Sequence, residues 1–304
     1  MTTLDFPLQH EAHAASAAPE VYSSIRDYYN IAGPDYETWS PNFNMHFGYC
    51  KHFRDIFSLE KMLFRMNDEV LDRLQLPTGK AIKIADLGCG VGTVARHTAK
   101  KYPHAHITGT TIVDYQVEKG NEFIAKEKLD GQVQLVKDNF EQSNFPDDHF
   151  DFAYALESAC HAGGSNKELF VAEMARILKE GGRFCIADGF LKHDKKLPWL
   201  FNKIYRKIID CWALPCFGNL NEFKSMLAKY GLTNIKTEEI SMRIAPSVAY
   251  VPWTCIKFFA TELWRKKSFH LEKERWNNVI APLLGMILGS YRKHFGYYII
   301  SGTK

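Results

Sequence analysis

The residues that could do chemistry begin with a glycine-rich turn in the segment IKIADLGCGVGT, which occupies positions 82–93. Its alternating apolar residues predict a strand, and the turn after it leads into a helix predicted over 94–102. Glycines at such a turn allow a tight bend and let a cofactor lie against bare backbone. The helix amino terminus adds free N–H groups and a positive dipole, which suit a carboxylate or a phosphate. The predicted cofactor-binding residues of this turn are Asp86, Gly88, Gly90 and Gly92.

The spacing of these glycines discriminates between cofactors. A dinucleotide-binding turn has the pattern G-x-G-x-x-G and an acidic residue about 20 positions further on, which binds a ribose hydroxyl. Here the pattern is D-x-G-x-G-x-G, and the next predicted strand ends in Thr110 and Thr111 with no acid. This pattern resembles motif I of the class I S-adenosylmethionine methyltransferases. The resemblance implies S-adenosylmethionine as the cofactor, with NAD binding and a purely structural turn as the alternatives.

Polar and aromatic residues follow the second and third predicted strands, where they could complete a cofactor site. Thr111 and Gln116 offer neutral hydrogen-bonding groups for a ribose, although a threonine at this position could equally cap the next helix. Asp138 stands where an adenine amino group would need an acceptor, with Asn139 beside it and Phe140 where the ring could stack. A turn role for Asp138 is the competing interpretation.

A carboxylate and an imidazole follow the fourth predicted strand, in the segment YALESACH. Glu157 and His161 are four positions apart, so they share a face if this segment is helical. A carboxylate directly after an apolar strand, beside an imidazole, is where a perturbed pKa is expected. The pair is therefore a candidate catalytic site. The alternative is that His161 merely caps a short helix.

An aromatic segment between positions 28 and 49 is a candidate substrate wall. Aromatic side chains usually bury area in a core, so core capping is the plain alternative. Polar residues interleave with the rings here, and apolar pockets with a few convergent polar groups are typical of ligand sites. The candidate residues of this segment are Tyr28, Tyr36, Trp39, His46 and Phe47.

The elements that would position these residues alternate between strands and helices. Strands are predicted over 104–111, 132–137, 150–155 and 182–188, with helices over 113–126 and 167–178. This alternation predicts a parallel, doubly wound α/β sheet. Beyond it, long helical stretches carry Trp199 and Trp253, which are predicted to contact a bulky apolar substrate from a lid. Packing of the lid aromatics on their own core is the alternative.

Three regions are expected along the chain. They are an N-terminal arm with substrate-capping helices (1–78), a cofactor-binding core (79–190), and a helical lid with the closing strands of the same sheet (191–304). A chain of 304 residues fits one α/β domain with insertions and needs no second independent core.

Longer stretches resemble the sterol C-24 methyltransferases and their relatives. The segments that carry the resemblance are GTTIVDYQVEKG (109–120), LVKDNF (135–140) and FPDDHFDFAYALESACHA (145–162). The similarity covers about Tyr28 to Asp188 and extends to the cyclopropane-fatty-acid and tocopherol methyltransferases. It implies the class I, Rossmann-like fold: a mostly parallel seven-stranded sheet with an N-terminal helical segment and a helical lid inserted between late strands.

The resemblance also implies a reaction. A methyl group would be transferred to an alkene carbon of an apolar isoprenoid substrate, through a carbocation that a base then deprotonates. Tyr36 and Trp39 would stabilise the cation through their aromatic faces, and Glu157, with His161 as its orienter, would be the base. Relatives that make cyclopropanes are thought to hold a bicarbonate at the corresponding glutamate, so Glu157 could bind that ion instead. Departures from the sterol family, Asn139 among them, leave the identity of the substrate open.

Composition limits the partners, metals and cellular compartments that we expect for this protein. The net charge of +3 is too mild to indicate a nucleic acid partner. The seven cysteines have no metal-binding spacing, so we interpret them as reduced thiols of a cytoplasmic protein and expect no metal. No signal peptide and no membrane span are expected. The basic run 265–267 is interpreted as a solvated helix end, with contact to a membrane surface or a diphosphate as the alternatives, and homo-oligomerisation stays open.

Two other function classes remain open. An O- or N-methyltransferase of a small natural product would use the same cofactor half, with His161 or Tyr49 deprotonating a heteroatom. A non-catalytic protein that binds the cofactor as a scaffold is disfavoured by the intact glycine turn.

Overall fold

The structure of the protein, a computed structural model, describes residues 19–266 and 271–304. The arm predicted for residues 1 to about 20 lies almost wholly outside this part, as does part of the basic run 265–267. Eight strands of the described chain form one sheet. They are β1 (Ile82–Leu87), β2 (Ala105–Thr111), β3 (Val133–Lys137), β4 (Phe150–Leu156), β5 (Leu178–Leu191), β6 (Gly218–Asn219), β7 (Thr233–Glu239) and β8 (Phe295–Thr303).

The sheet is mostly parallel and confirms the predicted fold class. Its strand order is β3–β2–β1–β4–β5–β8–β7, and only β8 runs antiparallel to its two neighbours. The predicted number of seven strands is corrected to eight. The reason is that β5 extends past the predicted end at position 188, and its residues Phe190 and Leu191 pair in parallel with the two-residue strand β6.

Eleven α-helices surround the sheet in the described chain. They are α1 (Pro19–Ala32), α2 (Tyr36–Trp39), α3 (Leu59–Leu74), α4 (Thr93–Lys101), α5 (Asp114–Glu127), α6 (Glu168–Ile177), α7 (Trp199–Cys211), α8 (Leu220–Lys229), α9 (Ser241–Val248), α10 (Val251–Lys266) and α11 (Lys273–Ser290). A 3-10 helix, Phe53–Phe57, precedes α3. None of the described helices is long and apolar enough to cross a lipid bilayer.

The apolar residues of these elements form a core on each face of the sheet, as a doubly wound architecture requires. One core joins α3, α4 and α5 to the sheet through residues such as Met66, Ala95 and Ile124. The other joins α6 and α8 through residues such as Phe170 and Phe223. Both cores hold the parallel strands rigidly, so the loops at the strand ends are fixed relative to one another.

The helices inserted after β5 and β7 lie against the N-terminal segment. Ile208 of α7 packs with Leu288 of α11 and Phe295 of β8. The Arg275 guanidinium of α11 donates two hydrogen bonds, of 2.7 and 2.8 Å, to the carboxylate of Asp35, which lies just before α2. It also donates to Glu262 of α10 at 2.9 Å. This buried ion group connects the inserted helices to the N-terminal segment around the candidate site.

Candidate active site

Two cavities meet beside the carboxyl ends of the parallel strands. The larger one, called the apolar cavity below, encloses about 1120 Å³ including its open mouth. The smaller one, called the glycine-turn cavity, encloses about 860 Å³. The residues that line both cavities are Tyr29, Met45, His46, Glu157 and His161. The two cavities therefore lie next to each other, and we call these five shared residues the junction.

The glycine turn forms one wall of the smaller cavity with bare backbone. Gly88 has a φ of +80°, and a Cβ there would lie 2.4 Å from the Cβ of Ser158. Gly90 has a φ of +54°, and its Cβ would meet the sulfur of Met45 at 3.2 Å. Both positions require glycine because of the left-handed backbone and the close neighbours. Gly92 does not line the cavity: its Cβ would meet Leu135 at 3.0 Å, so it serves the packing of the helix on the sheet.

Asp86 lies at the floor of the glycine-turn cavity. Its Oδ2 accepts a hydrogen bond of 2.9 Å from the hydroxyl of Tyr154. Burial raises the pKa of the Asp86 carboxyl to about 7, although this hydrogen bond opposes the shift. A positively charged group bound in the cavity would favour the ionised form of Asp86 and would itself be stabilised.

Thr111 and Gln116, which follow β2, also line the glycine-turn cavity. The Thr111 hydroxyl donates to the side-chain oxygen of Gln116 at 2.5 Å and accepts from the Val113 N–H at 3.2 Å. Thr111 is therefore not the N-cap of α5, whose N-cap residue is Val113 and has no side-chain cap. The side-chain nitrogen of Gln116 has no hydrogen-bond partner among the described residues, and a ribose hydroxyl is one group that it could bind.

The residues after β3 divide between the cavity and the turn. Asn139 and Phe140 line the glycine-turn cavity, but Asp138 does not. The Asp138 carboxylate accepts hydrogen bonds from the backbone N–H groups of Asn139 and Asn144, at 2.8 and 2.9 Å. Its prediction as an adenine acceptor is thus corrected, and the competing turn role describes it.

Glu157 sits at the junction of the two cavities with an unusual backbone. Its φ of +51° is left-handed, a conformation that costs free energy for a residue with a side chain. Its Oε1 accepts from the Phe47 N–H at 2.7 Å and from the Tyr297 hydroxyl at 2.8 Å. Removal from bulk water raises the pKa of Glu157 to about 8, and the nearby Asp188 carboxylate adds to the shift. A strained backbone and a perturbed acid at one position are typical of a functional site.

His161 does not orient Glu157, which corrects that prediction. The Nε2 atom of His161 shares a hydrogen bond of 3.1 Å with the hydroxyl of Tyr29, and its Nδ1 atom has no partner in the described protein. Burial lowers the pKa of His161 to about 3, with the charge of Lys167 as a second cause. His161 is consequently a neutral imidazole at the junction, while Phe47 and Tyr297 hold the carboxyl group.

The aromatic segment lines the apolar cavity with most of its predicted residues. Tyr36, Trp39, His46 and Phe47 all contribute, and the indole of Trp39 donates to the carbonyl of His46 at 3.2 Å. Burial lowers the pKa of His46 to about 4 and raises that of Tyr36 to about 12, so both stay neutral near pH 7.

Three predicted substrate contacts lie elsewhere. Tyr28 is buried behind the cavity wall, where its hydroxyl donates to the Asn278 side chain at 2.8 Å. Trp199 and Trp253 are 71% and 58% exposed and line neither cavity. Each tryptophan lies on the outer side of its helix. The side of α7 that carries Ile208 faces the core, and the side of α10 that carries Phe258 faces the cavity. The tryptophans are therefore left in solvent.

A family model described as a methyltransferase domain matches residues 85–186 of this sequence. The match begins within β1, includes the glycine turn and Glu157, and ends within β5. The chain carries a methyltransferase domain. This finding confirms the predicted S-adenosylmethionine-dependent methyltransferase core.

Relatives and solved structures extend this similarity beyond the domain. A sterol 24-C-methyltransferase of Neurospora crassa is 35% identical over 245 residues, which cover 80% of this chain and 62% of that protein. A 2-methyl-6-phytyl-1,4-hydroquinone methyltransferase of Synechocystis is 31% identical over 52% of this chain and 48% of its own. The structure of the cyclopropane synthase MmaA2 from Mycobacterium tuberculosis matches with a TM-score of 0.79 and 14% identity, over 96% of this chain and 100% of that one. The chain thus matches about half to three fifths of the two sequence relatives.

The glycine-turn cavity of the methyltransferase domain fits S-adenosylmethionine. The bare backbone at Gly88 and Gly90 leaves room for the cofactor, and a side chain at either position would fill it. Asp86 can face its ammonium group, Gln116 its ribose and Phe140 its adenine.

Several site residues carried no signal in the sequence. Tyr297 lies 140 positions after Glu157, inside an apolar closing strand, and only the pairing of β8 with β5 brings it to the junction. Asp188 ends the predicted fifth strand but had no recognisable pattern; it lines the apolar cavity and accepts from the Cys160 N–H at 2.8 Å. Tyr29 lines both cavities and Tyr28 lines neither, because the two residues lie on different faces of α1.

The raised pKa of Glu157 predicts a pH-dependent stability difference. Between its ordinary pKa of about 4.5 and its folded pKa of about 8, the folded protein holds a proton that the unfolded chain has lost. Stability from this group therefore falls as the pH rises through that window. Glu157→Gln removes the titration, so its free energy of unfolding relative to wild type should improve by about 4 kcal/mol from pH 5 to pH 9. Urea denaturation at the two pH values measures this, and parallel pH profiles would contradict it.

Proposed function

We propose that this protein transfers the methyl group of S-adenosylmethionine to an alkene carbon of an apolar isoprenoid-type substrate, such as a sterol, terpenoid or prenyl compound. The observation that carries the proposal is the junction at Glu157. There an acid with a raised pKa lies between a cavity suited to the cofactor and a larger cavity lined mainly by apolar and aromatic side chains. The sequence relatives support the substrate class, because they are named for acting on a sterol and on a phytyl hydroquinone.

The charges around the apolar cavity favour a neutral substrate that becomes positive during the reaction. Among its described lining residues, the charged types are Asp35, Glu157 and Asp188, and there is no lysine or arginine. Asp35 is neutralised by Arg275, so the carboxyl groups nearest the junction are Glu157 and Asp188. A cationic intermediate is stabilised by such groups, whereas a diphosphate group would be repelled by them.

The proposed reaction requires one proton acceptor. When bound, S-adenosylmethionine supplies an electrophilic methyl group. The alkene carbon bonds to that methyl carbon as its bond to sulfur breaks, which leaves a positive charge on the neighbouring carbon. Glu157 accepts a proton from the adjacent carbon, and the electrons of that C–H bond form a new double bond. A positive charge in the glycine-turn cavity lowers the pKa of Glu157 and so releases the carboxylate for this step.

The protein residues around Glu157 position the proposed base. The Phe47 N–H and the Tyr297 hydroxyl both bind Oε1, and Oε2 has no hydrogen-bond partner among the described residues, so it can accept the proton. Trp39 meets Phe47 edge to face, with ring centroids 5.9 Å apart, so the ring next to the base is itself held in place. Aromatic faces of this kind stabilise a nearby cation by about 0.5–2 kcal/mol each.

Neither of the two residues considered as bases for O- or N-methylation, Tyr49 and His161, suits that role. Tyr49 is buried in the core beside α3 and lines neither cavity. A pKa of about 3, caused by burial, makes His161 a poor proton acceptor at neutral pH. A phenol or amine substrate would therefore have to depend on Glu157 as well.

Replacing Trp39 by phenylalanine tests whether a cation forms. We expect the single-turnover rate at saturating cofactor and substrate to fall by about 2- to 30-fold, because the weaker π-face stabilises the cation less. The same substitution at Trp212, which lines the apolar cavity from the end of α7, is the matched control and should act mainly on substrate affinity. Trp39→Phe also removes the hydrogen bond to the His46 carbonyl, so its melting temperature is measured in parallel.

Tyr36→Phe completes this comparison because it keeps the ring and removes only the hydroxyl. For an alkene substrate its rate should stay within about twofold of wild type. If Trp39→Phe leaves the rate and the product pattern unchanged, as the control Trp212→Phe is expected to, the carbocation proposal fails and methylation of a heteroatom becomes the better account.

A further inference from the structure

The helix that bounds the apolar cavity has a second apolar face, which is exposed. Val251, Thr254, Cys255 and Phe258 of α10 line the cavity. On the opposite side, Trp253, Ile256, Leu263 and Trp264 are 58%, 59%, 45% and 83% exposed. At 3.6 residues per turn these four positions lie on one side of the helix. Exposed large apolar side chains in such an arrangement mark an interaction surface.

A second exposed aromatic segment lies beside the start of α10. In the 3-10 helix, Phe53 and Phe57 are 77% and 73% exposed, with their rings 5.9 Å apart. The hydroxyl of Tyr250, the residue before α10, donates to the carbonyl of Ile56 at 2.7 Å, which fixes the two segments together. We call the side chains of Phe53, Phe57, Trp253, Ile256, Leu263 and Trp264 the aromatic face.

The exposed charges of the two elements that carry the aromatic face have one sign. Within residues 53–57 and 251–264, the exposed charged residues are Arg54 and Lys257. The two acids of these elements are buried: Asp55 forms an ion pair with Lys61, and Glu262 forms one with Arg275. Aromatic side chains beside lysine and arginine, without exposed carboxylates, are the composition of surfaces that bind anionic membranes.

We propose that the aromatic face docks on a lipid membrane that contains anionic headgroups. Tryptophan and phenylalanine would enter the headgroup region, and the basic residues would contact the phosphates. The opposite face of α10 lines the apolar cavity, so the same helix contacts both the membrane and the cavity in which an apolar molecule would bind. Docking needs neither cofactor nor substrate, so it stands independently of the proposed methyl transfer.

Vesicle flotation with the full chain tests this proposal. The protein is mixed with vesicles of phosphatidylcholine alone, or of phosphatidylcholine with phosphatidylglycerol, in the absence of cofactor and substrate. We expect binding to the anionic vesicles that weakens with added salt, and little binding to the neutral ones. The double variant Trp253→Ser/Trp264→Ser should lower the partition coefficient by at least about tenfold.

Two further variants keep the test specific. Trp199→Ser removes an equally exposed tryptophan from α7, outside the aromatic face, and should bind vesicles like wild type. Phe53→Ser/Phe57→Ser changes the other half of the face and should also weaken binding. Absence of vesicle binding by the wild type, equal loss in all three variants, or a concentration-dependent dimer that the α10 variant abolishes would each overturn the proposal, the last by assigning the face to a second copy of the chain.

Discussion

Glu157→Gln is expected to lower turnover by about 10²–10⁴-fold, with a much smaller loss of cofactor affinity. Glutamine keeps the shape of the side chain and can still accept from the Phe47 N–H and the Tyr297 hydroxyl, but it cannot take a proton. We therefore expect the rate of the final step, the removal of a proton from the substrate, to fall. Turnover with saturating substrate and calorimetric titration with S-adenosylmethionine measure the two quantities separately.

Glu141→Gln is the matched control for this substitution. Glu141 is also buried and also accepts from a tyrosine hydroxyl, that of Tyr22, and from a backbone N–H, that of Gly163, but it lines neither cavity. Its turnover should stay within about threefold of wild type. A Glu157→Gln enzyme with wild-type turnover would remove Glu157 from the mechanism. Dependence of wild-type turnover on added bicarbonate in carbonate-free buffer would instead make a bound ion the base.

Gly90→Val should weaken S-adenosylmethionine binding by at least about 100-fold while the protein still folds. A side chain at this position projects into the glycine-turn cavity towards Met45, where the cofactor would lie. The backbone φ of +54° adds some strain, so a modest loss of stability accompanies the loss of binding. Calorimetric titration measures the affinity, and thermal melting reports the fold.

Gly79→Val is the control for Gly90→Val, because it introduces the same backbone strain without placing a side chain in the cavity. Gly79 has a φ of +74°, and a Cβ there would meet no other atom within 4 Å. It should lose stability like Gly90→Val but keep full cofactor affinity. If Gly90→Val binds the cofactor as wild type does, the assignment of the glycine-turn cavity to S-adenosylmethionine is wrong.

The site residues that could be predicted from the sequence are those placed by a strand or turn directly next to them in the chain. The strand, turn and helix from β1 to α4 follow each other directly, so Asp86, Gly88 and Gly90 reach the cavity through the local chain alone. Glu157 was predictable for the same reason, since it follows β4 and parallel strands end at one edge of the sheet. In each case the residue lies within a few positions of the element that places it.

The remaining predictions depended on long-range packing, which periodicity does not determine. Tyr28 and Tyr29 are adjacent in α1, and only the contact of Tyr28 with Asn278 of α11 decides which one faces the cavity. Trp253 belongs to a helix that is apolar on two sides, so its pattern could not tell the cavity side from the exposed side. His161 was assigned to Glu157 from spacing alone, whereas Tyr297 from the last strand takes that place.

The measurement that tests the central claim most directly is product analysis with methyl-labelled S-adenosylmethionine. The protein is incubated with the labelled cofactor and a panel of sterols, terpenoids and prenyl compounds, beside phenols and amines, and the products are analysed by mass spectrometry and NMR. We predict label on a carbon atom of an isoprenoid alkene, with a double bond retained in the product and no product from Gly90→Val. Label on oxygen or nitrogen, or no transfer to any apolar alkene, would contradict the account.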